Sequence, residues 1–205
     1  MADMRAFRDA VSGWAAGGPG GPAHDLAERV GVRTAVLLEG PSDREAVEAL
    51  AARRGRDLAA EGVCVVSMGG AMSIGRYAEI LGPPGLDLRL AGLCDVAEQR
   101  FYDRGLERAG APGGDFFVCV SDLEDELIRA LGTARVEDAI RAEGDLRAWQ
   151  TFMRQPAQHG RPRQQQLRRF LGTKKGRKIR YGRLLVEALD PDLTPAPLDD
   201  LLTSL

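Results

Sequence analysis

Acidic side chains recur where the short apolar runs of this 205-residue chain end. Glu39 closes the run RTAVLLE and Asp43 follows it by four residues; Asp95 and Glu98 follow LRLAGLC; Ser121 and Glu124 follow DFFVCV. Taken singly, several of these residues suit a helix start. Ser42 and Glu45 have the Ser-x-x-Glu spacing of a capping box, and Asp43, Asp122 and Asp125 are placed to complement helix dipoles. Glu39 falls outside that explanation because it precedes the cap, and a carboxylate at the end of a buried strand is costly unless a cation meets it. Taken together, like charges converging in one crevice raise each other's pKa unless a divalent cation neutralises them. Carboxylate oxygens and water are the ligands Mg²⁺ prefers. One such ion, or two about 4 Å apart, activates a water and stabilises both the attacking and the leaving oxygen of a phosphodiester. Glu39 and Asp43 then read as one end of a metal cradle.

The elements that must position these groups follow from hydrophobic periodicity. Apolar runs at 33–39, 62–68, 87–95 and 115–121 alternate with helical patterns at 42–55, 73–81, 96–110 and 122–132. A βαβα rhythm with nearly continuous apolar strands predicts a parallel sheet of about four strands covered on both faces, a Rossmann-like arrangement whose ligands sit beyond the carboxyl ends of the strands. Residues 1–22 read as an accessory helix followed by a Gly/Pro linker, 23–132 as the α/β core, and 133–205 as a helical C-terminal extension ending in a Pro-punctuated tail. The glycine pair of VVSMGGAMSIGRY permits either a tight strand-to-helix turn or a close backbone approach to a phosphate.

Net charge is only −2, yet residues 151–186 hold eleven Arg and Lys and no acid, leaving 17 basic residues against 30 acids elsewhere. An acidic body with a basic arm points to a polyanionic partner, with Arg168, Arg169, Lys174, Lys175, Arg177 and Arg180 as phosphate contacts. No apolar run approaches the roughly 20 residues of a membrane span, and no secretory signal opens the chain. Cys64, Cys94 and Cys119 lie inside apolar runs without metal spacing, as buried thiols of a reducing compartment do, so a soluble cytoplasmic protein is expected.

Glu39-Gly40-Pro41-Ser42-Asp43 resembles the E-G-x-[ST]-[DE] opening motif of TOPRIM domains, particularly those of the OLD (overcoming lysogenization defect) nucleases. VVSMGGAMSIGRYAEIL is similar to their second strand and glycine turn, RLAGLCDVAE stands in the place of their Asp-x-Asp motif, and VCVSDLEDELIRALG resembles their Ser/Leu-Glu motif. KKGRKIRYGRLLVEAL is similar to their terminal Lys-x-x-[Phe/Tyr]-[Ala/Gly]-x-x-Leu segment, with Lys178 at the position of the active-site lysine and Lys174 and Lys175 close by. The resemblance implies a TOPRIM fold and a Mg²⁺- or Mn²⁺-dependent DNA nuclease, with Glu39, Asp43, Asp95 and Glu124 among the metal ligands and Lys178 neutralising charge on the scissile phosphate. Two departures stand out. Ala97 replaces the second Asp of Asp-x-Asp, so either Glu98 supplies that carboxylate or one of two metals binds weakly. The chain also lacks the Gly-x-x-x-x-Gly-Lys-[Ser/Thr] motif of the ATPase that precedes such domains, which leaves an ATPase partner in trans, and a homodimer, open.

Three other readings compete with the nuclease. A phospho-receiver domain also gathers acids, Ser/Thr and Lys at the carboxyl edge of a parallel sheet, but it expects an adjacent acidic pair and a lysine after a fifth strand. A non-catalytic nucleic-acid-binding adaptor is suggested by Ala97. Nucleotidyl transfer of the primase kind shares the same metal chemistry.

Overall fold

Four strands, β1 (Thr34–Leu38), β2 (Val63–Ser67), β3 (Arg89–Asp95) and β4 (Asp115–Cys119), pair in parallel in the order β2-β1-β3-β4. The structure is a computed structural model that describes residues 2–111 and 113–205. Every residue of β1 is buried, as a central strand covered on both faces requires. Alternate side chains go to opposite faces: Val36, Leu38, Val63, Val65, Ala91 and Leu93 join one core, while Ala35, Leu37, Cys64, Val66, Leu90 and Cys94 join the other. At Gly92 a Cβ would lie 2.2 Å from the Leu37 carbonyl oxygen, so only glycine lets β3 sit this close to β1.

The first core lies under α3 (Pro41–Arg53), α6 (Leu123–Leu131), α7 (Thr133–Ala142), α8 (Leu146–Met153), α9 (Arg163–Leu171), α10 (Lys175–Ala188) and α11 (Ala196–Ser204). The second lies under α1 (Ala2–Ala15), α2 (Gly21–Val30), α4 (Ile74–Leu81) and α5 (Gln99–Arg108). The chain steps from β1 outward to β2 and then back across β1 to β3. The crevice between β1 and β3 is therefore the topological switch point where open α/β sheets bind their ligands.

Three expectations change. The N-terminal helix is no tethered accessory. Met4, Phe7 and Val11 form a stripe at helical spacing that is buried in the second core. The Gly/Pro stretch is a tight hairpin, with Gly17 at φ 98° and Gly20 pressed on the Trp14 ring, and Pro22 opens α2. The Pro-punctuated tail ends in α11, whose Leu198, Leu201 and Leu202 are buried in the first core because they too repeat at three and four residues. The helix after β1 starts at Pro41 rather than at Ser42, so the capping box is not Ser42–Glu45: Gly40 is the N-cap, and its N–H donates to the Asp43 carboxylate at 2.8 Å.

Candidate metal centre at the strand ends

The acids reach the cleft from three strand ends, those of β1, β3 and β4. Glu39 follows β1, and its backbone is fixed by the glycine turn after β2: the N–H groups of Gly69 and Gly70 both donate to the Glu39 carbonyl at 3.0 Å. Gly69 (φ 78°) and Gly70 (φ 139°) adopt conformations that favour glycine, and their amides are spent on Glu39 rather than offered to a phosphate. Asp95 ends β3. Glu98 heads α5, with its N–H donating to the Asp95 carbonyl at 2.9 Å. Asp122 caps α6 by accepting the Asp125 N–H at 2.8 Å, and Glu124 sits in the first turn behind it. Lys178 arrives from α10, which is held against the start of α3 at Gly182. There a Cβ would lie 2.4 Å from the Ser42 carbonyl oxygen.

Glu39, Asp43, Asp95, Glu98, Asp122, Glu124 and Lys178 line one cleft of about 150 Å³. The acids divide into two sets within it. Glu39, Asp95 and Glu98 each present an oxygen, all within 4.8 Å of one another. Asp43 and Glu124 form the other set around Lys178, whose Nζ lies 3.2 Å from Glu124 Oε1. The resemblance puts Glu39, Asp43, Asp95 and Glu124 among the metal ligands and leaves Glu98 as one option for the carboxylate missing at Ala97. In the structure Asp43 lines the same cleft, with Oδ2 accepting the Gly40 N–H, and stands outside the three carboxylates whose oxygens lie within 4.8 Å of one another. Glu98 takes the place beside Asp95, while Ala97 is exposed. Glu39 is itself exposed, just past the buried strand rather than inside it.

Burial and repulsion raise acids in both sets, and the sets act on each other: Glu39 raises Asp43, and Asp43 raises Asp95. Burial, then Asp122, Glu39, Glu98 and Asp43, push Asp95 up to about 7, and burial followed by Glu39 raises Glu98. Glu98 Oε2 is buried without a hydrogen-bond partner, a cost that a cation among the three carboxylates removes. Three hard oxygen donors, one of them orphaned, fit a Mg²⁺- or Mn²⁺-type ion. In the second set, burial and then Glu124 push Asp43 up to about 7, and burial raises Glu124 in spite of Lys178. Burial opposes the Lys178 ammonium, but Glu124 and then Asp43 outweigh it and hold its pKa above the ordinary lysine value.

Beyond Lys178 the cleft opens into a polar groove of about 780 Å³, shared with Asp122, Glu124 and Lys178 and walled by Arg161, Gln164, Gln165, Arg168 and Arg169. Arg168 is clamped on Asp122, with Nε–Oδ2 at 2.7 Å. Lys174 and Lys175 are exposed at the start of α10, and among the described residues neither they nor Arg161 and Arg169 make an ion pair. Arg177 does not belong with them. It is 8% exposed, pairs with Asp145 at 3.3 Å, donates to Thr173 Oγ1 at 2.7 Å and lies 4.0 Å from the Phe170 ring centroid, so it braces α10 against α8 and α9. Arg180 is also held by Asp145, at 2.6 Å, although it remains exposed. Asp145 is the residue that sequence reasoning missed. Its only signal is an acid before a helix, which looks like an ordinary cap.

A parallel β2-β1-β3-β4 sheet whose switch-point crevice gathers carboxylates from separate strand ends, with a helical C-terminal part, is an α/β fold of the metal-binding TOPRIM type. Residues 32–96 match the family described as overcoming lysogenization defect protein-like, TOPRIM domain. Over these residues the chain is similar to the TOPRIM domain of the OLD proteins. The C-terminal region of the Xanthomonas campestris pv. campestris OLD protein superposes with TM-score 0.63 at 27% identity, over 84% of this chain and 93% of that one. The C-terminal region of the Burkholderia pseudomallei OLD protein superposes with TM-score 0.62 at 23% identity, over 84% and 96%, a likeness of fold. None of the curated proteins matches the chain in sequence. Among the described residues no helix is long and apolar enough to cross a membrane. The sheet has four strands and Lys178 sits on a helix, so the lysine after a fifth strand that a receiver domain expects is not found among the described residues.

Proposed function

We propose that the protein is a divalent-metal-dependent nuclease that hydrolyses phosphodiester bonds of DNA. One observation carries the reading: Glu39, Asp95 and Glu98, brought from the ends of β1 and β3, offer oxygens within 4.8 Å of one another, beside a lysine that is already committed to a second carboxylate pair. A Mg²⁺ or Mn²⁺ ion held by these three residues supplies Lewis-acid activation of a water and of the phosphate oxygens.

The chain's own residues do the rest. Glu39, Asp95 and Glu98 set where that charge sits, and the two glycine amides on the Glu39 carbonyl keep the first of them in register. Lys178 places an ammonium between Glu124 and the open groove, where it neutralises charge that develops on the scissile phosphate. Asp43 and Glu124 hold that ammonium in position. Arg161, Arg168, Arg169, Lys174 and Lys175 track the phosphate backbone leading to the cleft. Ala97 supports a second reading, in which the domain binds DNA without cutting it.

Nicking of supercoiled plasmid separates the two. The wild type is expected to nick with Mg²⁺ or Mn²⁺, and Glu39→Ala is expected not to. Binding of DNA by both proteins without nicking by either would leave the adaptor.

A further inference from the structure

Asp122 has no part in the reading above, yet it stands where the metal cleft opens into the basic groove and lines both. Both of its oxygens are engaged. Oδ1 accepts the Asp125 N–H at 2.8 Å as the cap of α6, while Oδ2 accepts Arg168 Nε at 2.7 Å and lies 2.6 Å from Arg168 Nη2. Asp122 is also the charge that acts most strongly on Asp95. An acid in this place that is spent on a helix cap and a guanidinium serves to aim the guanidinium.

Arg168 differs from the other cations assigned to the phosphate backbone. Among the described residues it alone of Arg161, Arg168, Arg169, Lys174 and Lys175 has an ion pair. The helix that carries it is fixed as well. Leu167, Phe170 and Leu171 of α9 are buried in the first core, and Gln164, one turn before Arg168, donates to Asp125 Oδ1 at 2.8 Å. Two polar rungs thus tie α9 to the start of α6. Asp122 takes two of the five guanidinium N–H groups and leaves three for a ligand, on a side chain that is 41% exposed and walls the groove.

The charges of the cleft reach this guanidinium. Burial opposes the Arg168 charge, but hydrogen bonding to Asp122, and then the charges of Asp122, Asp125 and Asp95, hold its pKa above the ordinary arginine value. Asp122 acts on Lys178 too. A phosphate at the mouth of the cleft therefore meets Lys178 from α10 and Arg168 from α9, both neighbours of Asp122.

We infer that Arg168 grips the non-bridging oxygens of the scissile phosphate, as a catalytic cation beyond the backbone-tracking role given it above, and that Asp122 is its positioning residue. The inference rests on the nuclease reading. A planar fork that is already oriented needs no reorganisation when charge develops on those oxygens, whereas a freely rotating cation contributes to affinity alone. Lys178 supplies a point charge shared with Glu124; Arg168 supplies direction.

The test measures plasmid nicking at saturating Mn²⁺ and DNA binding in Ca²⁺, with a thermal melt of each variant to check the fold. Arg168→Lys keeps the positive charge and loses the fork, so binding should stay within about twofold of the wild type, while kcat falls about 100-fold. Asp122→Asn keeps the α6 cap, because Asn caps a helix as well as Asp does. It should lower kcat about tenfold with KM unchanged. In an Arg168→Ala background the same change should have no further effect, since Asp122 acts through Arg168. Full turnover by Arg168→Lys overturns the assignment and leaves the nuclease reading standing. A loss that adds to that of Arg168→Ala overturns the positioning role of Asp122. Failure of the wild type to nick overturns both the inference and the reading beneath it.

Discussion

The two sets of acids in one cleft face the same problem and meet it differently. Asp43 and Glu124 share a cation of the chain, Lys178, whereas among the described residues Glu39, Asp95 and Glu98 form a cluster without one; buried oxygens lacking hydrogen-bond partners remain in both sets, Glu124 Oε1 and Oε2 in the first and Glu98 Oε2 in the second. The first set gains its counter-charge once α10 docks. The second, under the proposed function, takes its counter-charge from an ion in solution. Under that function, charge repulsion retained at one point of the fold is what would give that point affinity for a metal.

The largest effect expected from breaking this contrast is at Asp95. Asp95→Asn should lower cleavage by about 100-fold or more, beyond the 10–100-fold typical of groups outside the ligand shell. It should also raise the melting temperature of the metal-free protein, because it removes repulsion, while abolishing the stabilisation by Mn²⁺. A variant that still gains stability from Mn²⁺ would show that Asp95 is not a ligand.

Lys178→Ala acts on the other set. It leaves Glu124 buried beside Asp43 without its cation, and because Lys178 is partly exposed the expected loss is about 1–2 kcal/mol rather than the ~3–5 of a fully buried pair. The paired change Lys178→Ala with Glu124→Gln should recover most of that loss in a denaturant melt, while turnover stays low. An uncoupled double-mutant cycle would contradict the self-neutralised set.

pH sharpens the comparison further. Asp43 and Asp95 are held at about 7 against an ordinary 3.8, chiefly by burial, so the folded state binds their protons more tightly than the unfolded chain does. Their contribution to stability is fully present below about pH 4, declines as the pH rises toward 7 and is flat above that. Mn²⁺ requires the ionised carboxylates, so its affinity should climb over the same window. Melts at pH 5 and pH 8, with and without Mn²⁺, should show opposite trends; a metal-free protein that grows more stable between these values would refute the assignment.

The smallest effects belong to the basic arm. Arg169→Ala should reduce the salt dependence of DNA binding by about one unit of slope and leave stability unchanged, whereas Arg177→Ala should lower stability and leave the slope unchanged. Equal slopes in both variants would return Arg177 to the phosphate-facing set.

Much of this was legible because period-two burial and strand-end acids are local signals. The four strands, their carboxyl edge and the presence of Glu39, Asp95 and Glu124 there follow from residues a few positions apart. The partition of the acids was legible only in part: Glu98 as a stand-in for the carboxylate missing at Ala97 was one of two options the sequence left open, and Glu98 does cluster with Asp95, whereas the use of an Asp43 oxygen by the Gly40 N–H depends on where the helix starts. The arm misled for a related reason. Within residues 151–186 every cation looks unpaired, but Arg177 and Arg180 meet Asp145 and Arg168 meets Asp122, acids supplied from outside that stretch. The burial of α1 and α11 was likewise hidden behind glycine and proline, which read as tether and tail until their neighbours are seen.

The docking of α10 at Gly182 has a consequence for biosynthesis. Lys178 is made 54 residues after Glu124, so at about 5–20 residues per second the ribosome leaves that carboxylate without its counter-charge for about 3–10 s. Until then the groove lacks its lysine, so under the proposed nuclease function the emerging chain is expected to leave nucleic acid intact while it is being translated. Ribosome-arrested chains that expose the segment up to residue 170 should resist protease less than those that expose residue 188, and neither the shorter chain nor its complex should nick a plasmid.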